Sequence, residues 1–159
     1  MRLRFRVLLT LGRDCLQITE PNHLLYPEYD HLLKVSMIRE TELFFAELLR
    51  HDLSVTNIID ADFSLLNARL AKHYGVPGPS GFEFQRTALP KTSHRGGVMT
   101  MASVLKVTAN GSYTHPVHRG VWILERLLGD RPPNPPPDVP VIEPDIRGAK
   151  GIREQLAKH

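Results

Sequence analysis

Residues 27–52, PEYDHLLKVSMIRETELFFAELLRHD, decide the fold class. Leu33, Met37, Phe44 and Leu48 recur at helical spacing, flanked by Ile38, Phe45 and Leu49. So wide an apolar stripe implies a helix packed on two neighbours. Glu28 and Asp30 are expected in its first turn and Arg50 and His51 in its last, as the helix dipole favours. Phe44 and Phe45 lie on the stripe, which makes them core residues rather than a cofactor box.

Downstream, SVTNII (54–59) reads as a short helix or turn capped by Ser54. Phe63, Leu66, Leu70 and Tyr74 then follow a helical spacing, with Asp62 or Ser64 as the expected N-cap. Gly75 stands where a left-handed closing residue belongs, and Pro77 follows it. Asp60 and Asp62 have the spacing of a magnesium or phosphatase-like pair. That chemistry needs a buried strand of a parallel sheet before it, and no such pattern surrounds them. Capping and a loop carboxylate are their expected roles.

GVPGPSG (75–81) is turn chemistry, FEFQR (82–86) alternates as one short strand would, and LPKTSHRGG (89–97) returns to loop. Gly96 and Gly97 suit a hinge better than an anion-holding backbone nest. Residues 98–107 fit either helix or strand, and Asn110-Gly111 signals a turn. A clear helix follows, with Val117, Val121, Leu124 and Leu128 on one face, Pro116 in its first turn and Gly129 past its end. His115 and His118 are a weak metal signal, since no carboxylate but Glu125 stands at ligand spacing. Metal ligands are expected to be none, and catalytic residues none.

From Arg131 the composition shifts. RPPNPPPDVPVIEP (131–144) is expected as a stiff polyproline strap or spacer rather than a ligand for a proline-reading module. Residues 146–159 read as a short helix, basic at its end, and a chain closing there reads as truncated. The fold class is therefore mainly α: a helical domain with long loops, a short strand or hairpin, a Pro-rich strap and a short C-terminal helix.

Composition bounds the function. The 159 residues suit one domain, or one domain with a short appendage, and 42% hydrophobic residues suffice for a core. Net charge is +3, but 20 basic and 17 acidic residues are interleaved, which argues against a nucleic-acid partner. Arg2, Arg4 and Arg6 form the one basic cluster. The apolar run from Val7 to Leu11 is too short for a signal-peptide core of about 7–15 residues. No stretch approaches a transmembrane segment. Cys15 is the only cysteine, which excludes an internal disulfide and an all-cysteine metal site.

ETELFFAELLRHDLSV (40–55), DADFSLLNARLAKHYGVPG (60–78) and the whole of 95–159 resemble the large planctomycete cytochrome-type proteins. These are exported, multidomain and of unknown function. The resemblance covers roughly 24–159 as two adjacent domains, and residues 1 to about 20 fall outside it. In such relatives the last helix is followed by a Cys-x-x-Cys-His motif that holds haem c covalently. That resemblance implies a periplasmic or extracytoplasmic location, a neighbouring haem domain of the same polypeptide, and no cofactor in this chain itself. His115 and His118 depart from the small or apolar residues of the relatives.

The expected organisation is an unmatched segment 1–23, the end of a helical domain 24–90, a second small domain 91–131, and a linker with terminal helix 132–159. The expected function is a non-catalytic scaffold or interaction domain. A redox or polysaccharide-active enzyme and a gene remnant are the rivals, and cell-surface polysaccharide is a candidate partner. Candidate interaction residues are Arg95, Gly96, Asn110, Arg119 and Trp122, which combine turn backbone, guanidinium groups and an aromatic.

Overall fold

The structure, a computed structural model, describes residues 20–112, 114–130 and 132–133. Asp30 opens the first helix, α1 (His31–Arg50): it is extended, and its side chain accepts the Leu33 N–H at 2.6 Å. The acid therefore caps the helix from outside and does not sit in its first turn; Glu28 precedes it, and its carbonyl takes the Arg69 guanidinium. Leu33, Met37, Phe44, Phe45 and Leu48 are buried as the stripe requires. So are Ser36, Glu40 and Thr41, which periodicity of apolar residues does not reveal.

After a 3-10 turn at Val55–Ile58, capped by Ser54, the chain departs from expectation. Phe63–Leu66 is strand β1, not the start of a helix, and all four residues are buried. It pairs antiparallel with β2 (Gln85–Ala88) in the register Phe63↔Ala88 to Leu66↔Gln85. The pleat sends neighbouring side chains to opposite faces, and here both faces are covered. Phe63 packs 5.3 Å from Phe44 by ring centroids and carries Arg86 at 4.0 Å over its ring. Ser64 bonds Glu40, and Leu66 joins the main apolar cluster with Leu33, Met37 and Leu70.

Helix α2 is only Ala68–Tyr74. Its N-cap is Asn67, extended, whose Oδ1 accepts the Leu70 N–H at 2.9 Å and whose Nδ2 donates to Ser36 Oγ at 2.9 Å. A cap residue breaks helical geometry, so the 63–74 spacing is shared between a strand and a helix. Gly75 closes α2 in the left-handed region, φ +66°, as expected.

The Gly96-Gly97 pair is not a hinge. A Cβ on Gly97 would stand 2.5 Å from the carbonyl oxygens of Ile58 and Ile59, and Gly97 has φ +67°. The pair lets two backbones touch. A 3-10 turn at Val98–Thr100 then leads into α3 (Ala102–Val107), which resolves that segment as helix. Helix α3 packs on α1: Thr41 Oγ1 and Ser103 Oγ lie 2.6 Å apart, and Ala102 enters the cluster of Leu33 and Met37. The Asn110-Gly111 turn is closed by a bridge between Ala109 and Thr114. It holds the 21–29 loop through Asn22 N–H to Gly111 O at 2.9 Å and Tyr26 OH to Ser112 O at 2.8 Å.

Contacts divide the chain after Arg119. Helix α4 (Pro116–Trp122) has Pro116 at its first position, and a π-helical turn, Ile123–Leu128, follows. Gly129 ends that turn with φ +73°. The π winding breaks the 3.6-residue period. The expected apolar face is not buried in the described structure: Val117 is 60% and Leu128 68% exposed.

Of the described residues, about half are helical and four-residue strands make one two-stranded sheet, so the chain is mostly helical with some strand. The Pro-rich strap, the C-terminal helix, Cys15 and the Arg2–Arg6 cluster lie outside the described residues. No helix among the described residues is long and apolar enough to cross a membrane.

Candidate functional site

Glu40 is the most buried carboxylate described, 1% exposed. Its Oε1 accepts the Ser64 hydroxyl at 2.6 Å and its Oε2 the Tyr74 hydroxyl at 2.5 Å. Tyr74 OH in turn accepts the Ala102 N–H at 2.8 Å. Burial pushes the Glu40 carboxyl up to about 7, against the opposing pull of the two hydroxyls and Arg95. Tyr74 is held well above the ordinary tyrosine value by burial and by the Glu40 carboxylate.

The Arg95 guanidinium stacks 3.7 Å over the Tyr74 ring and donates Nη1–H to Thr100 O at 2.8 Å. Arg95 also lines a cavity of about 400 Å³. The walls come from the 21–29 loop, α1, α3 and the 109–114 turn. Leu33, Met37 and Leu105 supply apolar surface, Tyr26 and Tyr29 aromatic surface, and Arg95, Lys106 and Arg119 positive charge. Glu28 is the acid on the wall, and His73 is kept toward its neutral form by burial and by Arg95. Arg119 is fixed by Nε–H to Thr108 Oγ1 at 3.2 Å and Nη2–H to Thr114 Oγ1 at 2.7 Å. Thr108 is itself buried, and its hydroxyl donates to Val104 O at 2.8 Å.

A second, open cleft of about 620 Å³ is lined by Asn57, Asp60, Asp62, Lys91, His94 and Gly96, with Arg95 at its edge. Neither aspartate caps a helix. Asp62 instead extends the strand pairing, its carbonyl accepting Leu89 N–H at 2.8 Å.

Of the five candidate interaction residues, Arg95 and Arg119 line the same cavity, and Arg95 and Gly96 share the cleft. Asn110 shapes the turn, its Oδ1 accepting the Ser112 N–H at 3.1 Å. Trp122 belongs to the second unit. Sequence reasoning missed Tyr29 and Lys106 as lining residues and the whole Glu40–Tyr74 pair. A glutamate at a buried position of the α1 stripe was the one signal available for that pair.

The His115 and His118 rings stack at 3.7 Å, and the His118 N–H approaches His115 Nδ1 at 3.4 Å. Burial and the neighbouring His118 lower the His115 pKa. Among the described residues no group of three or more His, Cys, Asp or Glu is placed to hold a metal ion.

Residues 5–76 match a family described as Protein of unknown function (DUF1592), PSD4. Residues 95–159 match a second, described as Protein of unknown function (DUF1588), PSCyt3. Two adjacent segments of the chain are thus similar to domains of unknown function known as planctomycete cytochrome-type repeats. No curated protein and no solved structure matches the chain.

Proposed function

We propose that this chain is a non-catalytic scaffold or interaction module that stands beside a c-type haem domain in an exported multidomain protein. The observation that carries the reading is the adjacency of the two matched segments together with their joint core. Tyr74 from the first segment takes the Ala102 N–H of the second, and Thr41 meets Ser103. A core closed by α1, α2 and α3 holds those helices in a fixed geometry, as a scaffold must.

The group implied by the resemblance does not fit this chain. Haem c needs two thioether bonds and a histidine ligand, and the sequence has one cysteine. In this reading the haem belongs to the neighbouring domain of longer relatives. Cell-surface polysaccharide is the candidate partner outside the polypeptide.

An enzyme acting on polysaccharide is the second reading, and Glu40 is the observation that favours it. A carboxyl raised toward neutrality is what a general acid requires. Both Glu40 oxygens are engaged within the core, however, and its side chain is sealed from solvent.

The test uses the complete native gene product, assayed for covalently bound haem and for turnover of acidic and neutral polysaccharides. The proposal expects covalent haem and no turnover that depends on this chain. A product without haem contradicts it, as does a turnover that Glu40→Gln abolishes while the melting temperature holds.

A further inference from the structure

Two observations around the 400 Å³ cavity are independent of each other. The first is charge. Arg95 and Arg119 both line it, and neither has a carboxylate within ion-pair distance among the described residues. Ion pairs among the described residues include those of Lys34, Arg39, His51, Arg69 and Arg86. The Arg119 guanidinium is nevertheless held in place by Thr108 and Thr114, which leaves part of its donor fork unspent on protein. Arg95 is pinned on Tyr74 and on Thr100 O and also faces the buried Glu40 carboxyl, so Arg119 is the freer of the two. A guanidinium fixed without a counter-ion suits an incoming carboxylate, whose oxygens match its planar fork.

The second observation is a missing partner. Tyr29 is only 8% exposed and lines the cavity, and its hydroxyl has no hydrogen-bond partner among the described residues. A buried donor left unmade is costly, and such groups are uncommon in native interiors. An acceptor on a bound molecule satisfies it. Around these polar points the wall is apolar and aromatic: Leu33, Met37, Leu105 and the Tyr26 ring. The volume lies in the range of small-molecule pockets with mostly apolar walls and a few placed polar groups.

We infer that this cavity binds a small organic acid with a flat apolar body, its carboxylate taken by arginine and Tyr29 donating to an oxygen of the same molecule. Glu28 sets the limit on charge, since a second negative group near it is repelled. The site is therefore built for a monocarboxylate, not for a polyanion. The inference goes beyond the scaffold reading and does not depend on a haem domain.

Calorimetric titration of the full chain tests it, with phenylacetate as probe. Phenylacetamide is its neutral isostere, and glucuronate is an acid without an apolar body. Saturable phenylacetate binding is expected, weakened about tenfold or more in the amide and in Arg119→Gln, as loss of a charge-assisted hydrogen bond implies. Glucuronate is expected to bind more weakly than phenylacetate. Tyr29→Phe is expected to weaken phenylacetate about fivefold while leaving the melting temperature equal or higher. Should Arg119→Gln fail to fold, the acid–amide comparison and Tyr29→Phe decide. No saturable phenylacetate binding at millimolar concentration overturns the inference. Equal affinity for acid and amide, or glucuronate binding tighter than phenylacetate, does so too, as does a Tyr29→Phe variant with unchanged affinity.

Discussion

The Tyr74 hydroxyl lies 2.5 Å from Glu40 Oε2 and accepts the Ala102 N–H at 2.8 Å, so one phenol joins α1 to α3 through a buried carboxyl. Burial raises that carboxyl from its ordinary 4.5 to about 7 in the folded chain. Between those values the folded state keeps a proton that the unfolded state has released. Stability therefore falls as pH rises through this window, by up to about 1.4 kcal/mol per pH unit, and levels off above it. Urea unfolding across the window measures this. Glu40→Gln is expected to flatten the difference, and a variant with the same pH slope as the parent contradicts the account.

The Thr41–Ser103 contact at 2.6 Å is the second polar link between the two helices. A double-mutant cycle with Thr41→Val and Ser103→Ala is expected to give a coupling of about 1 kcal/mol. Strict additivity of the two substitutions would mean that the hydroxyls do not interact.

Gly97 is required by both its left-handed backbone and its contact with the 58–59 carbonyls. Gly97→Ala is expected to destabilise by about 2 kcal/mol or more, because backbone atoms cannot yield as side-chain ends do. Gly120 lies in α4 with open space around a Cβ, so Gly120→Ala is expected to be neutral or to stabilise by about 0.5–1 kcal/mol. Thermal melts of the two variants check the contrast.

Asn67 caps α2 and ties it to Ser36 on α1. Asn67→Ala removes the cap and leaves the buried Ser36 hydroxyl without this donor, at an expected cost of about 2 kcal/mol. Chemical denaturation reads it, and a loss below half that figure would show the cap to be redundant.

What could be read from the sequence follows from the kind of signal each segment carries. The stripe of α1 needed no partner to be visible, and Gly75 declared its turn by chemistry alone. The strand at 63–66 was hidden because Phe63, Leu66, Leu70 and Tyr74 also satisfy a helical spacing. Only pairing with 85–88, distant in sequence, decides between them. The expected 82–86 strand was nearly placed, three residues early, since Phe82 and Phe84 alternate but do not pair. Glycines 96 and 97 read as freedom when they serve close approach, a property of residues 58–61 rather than of their own neighbours. The meeting of Arg95 and Arg119 on one cavity is likewise tertiary. Sequence singled out both for their chemistry, and only tertiary packing brings them to the same cavity.

The central claim is that the first matched segment and the start of the second, through α3, share one core. Amide hydrogen exchange of the full chain tests it most directly, comparing 31–50 with 102–107. The account expects both helices to open with the same free energy, and Thr41→Val to lower the two protections together. Exchange of 102–107 at loop rates while 31–50 stays protected would contradict it.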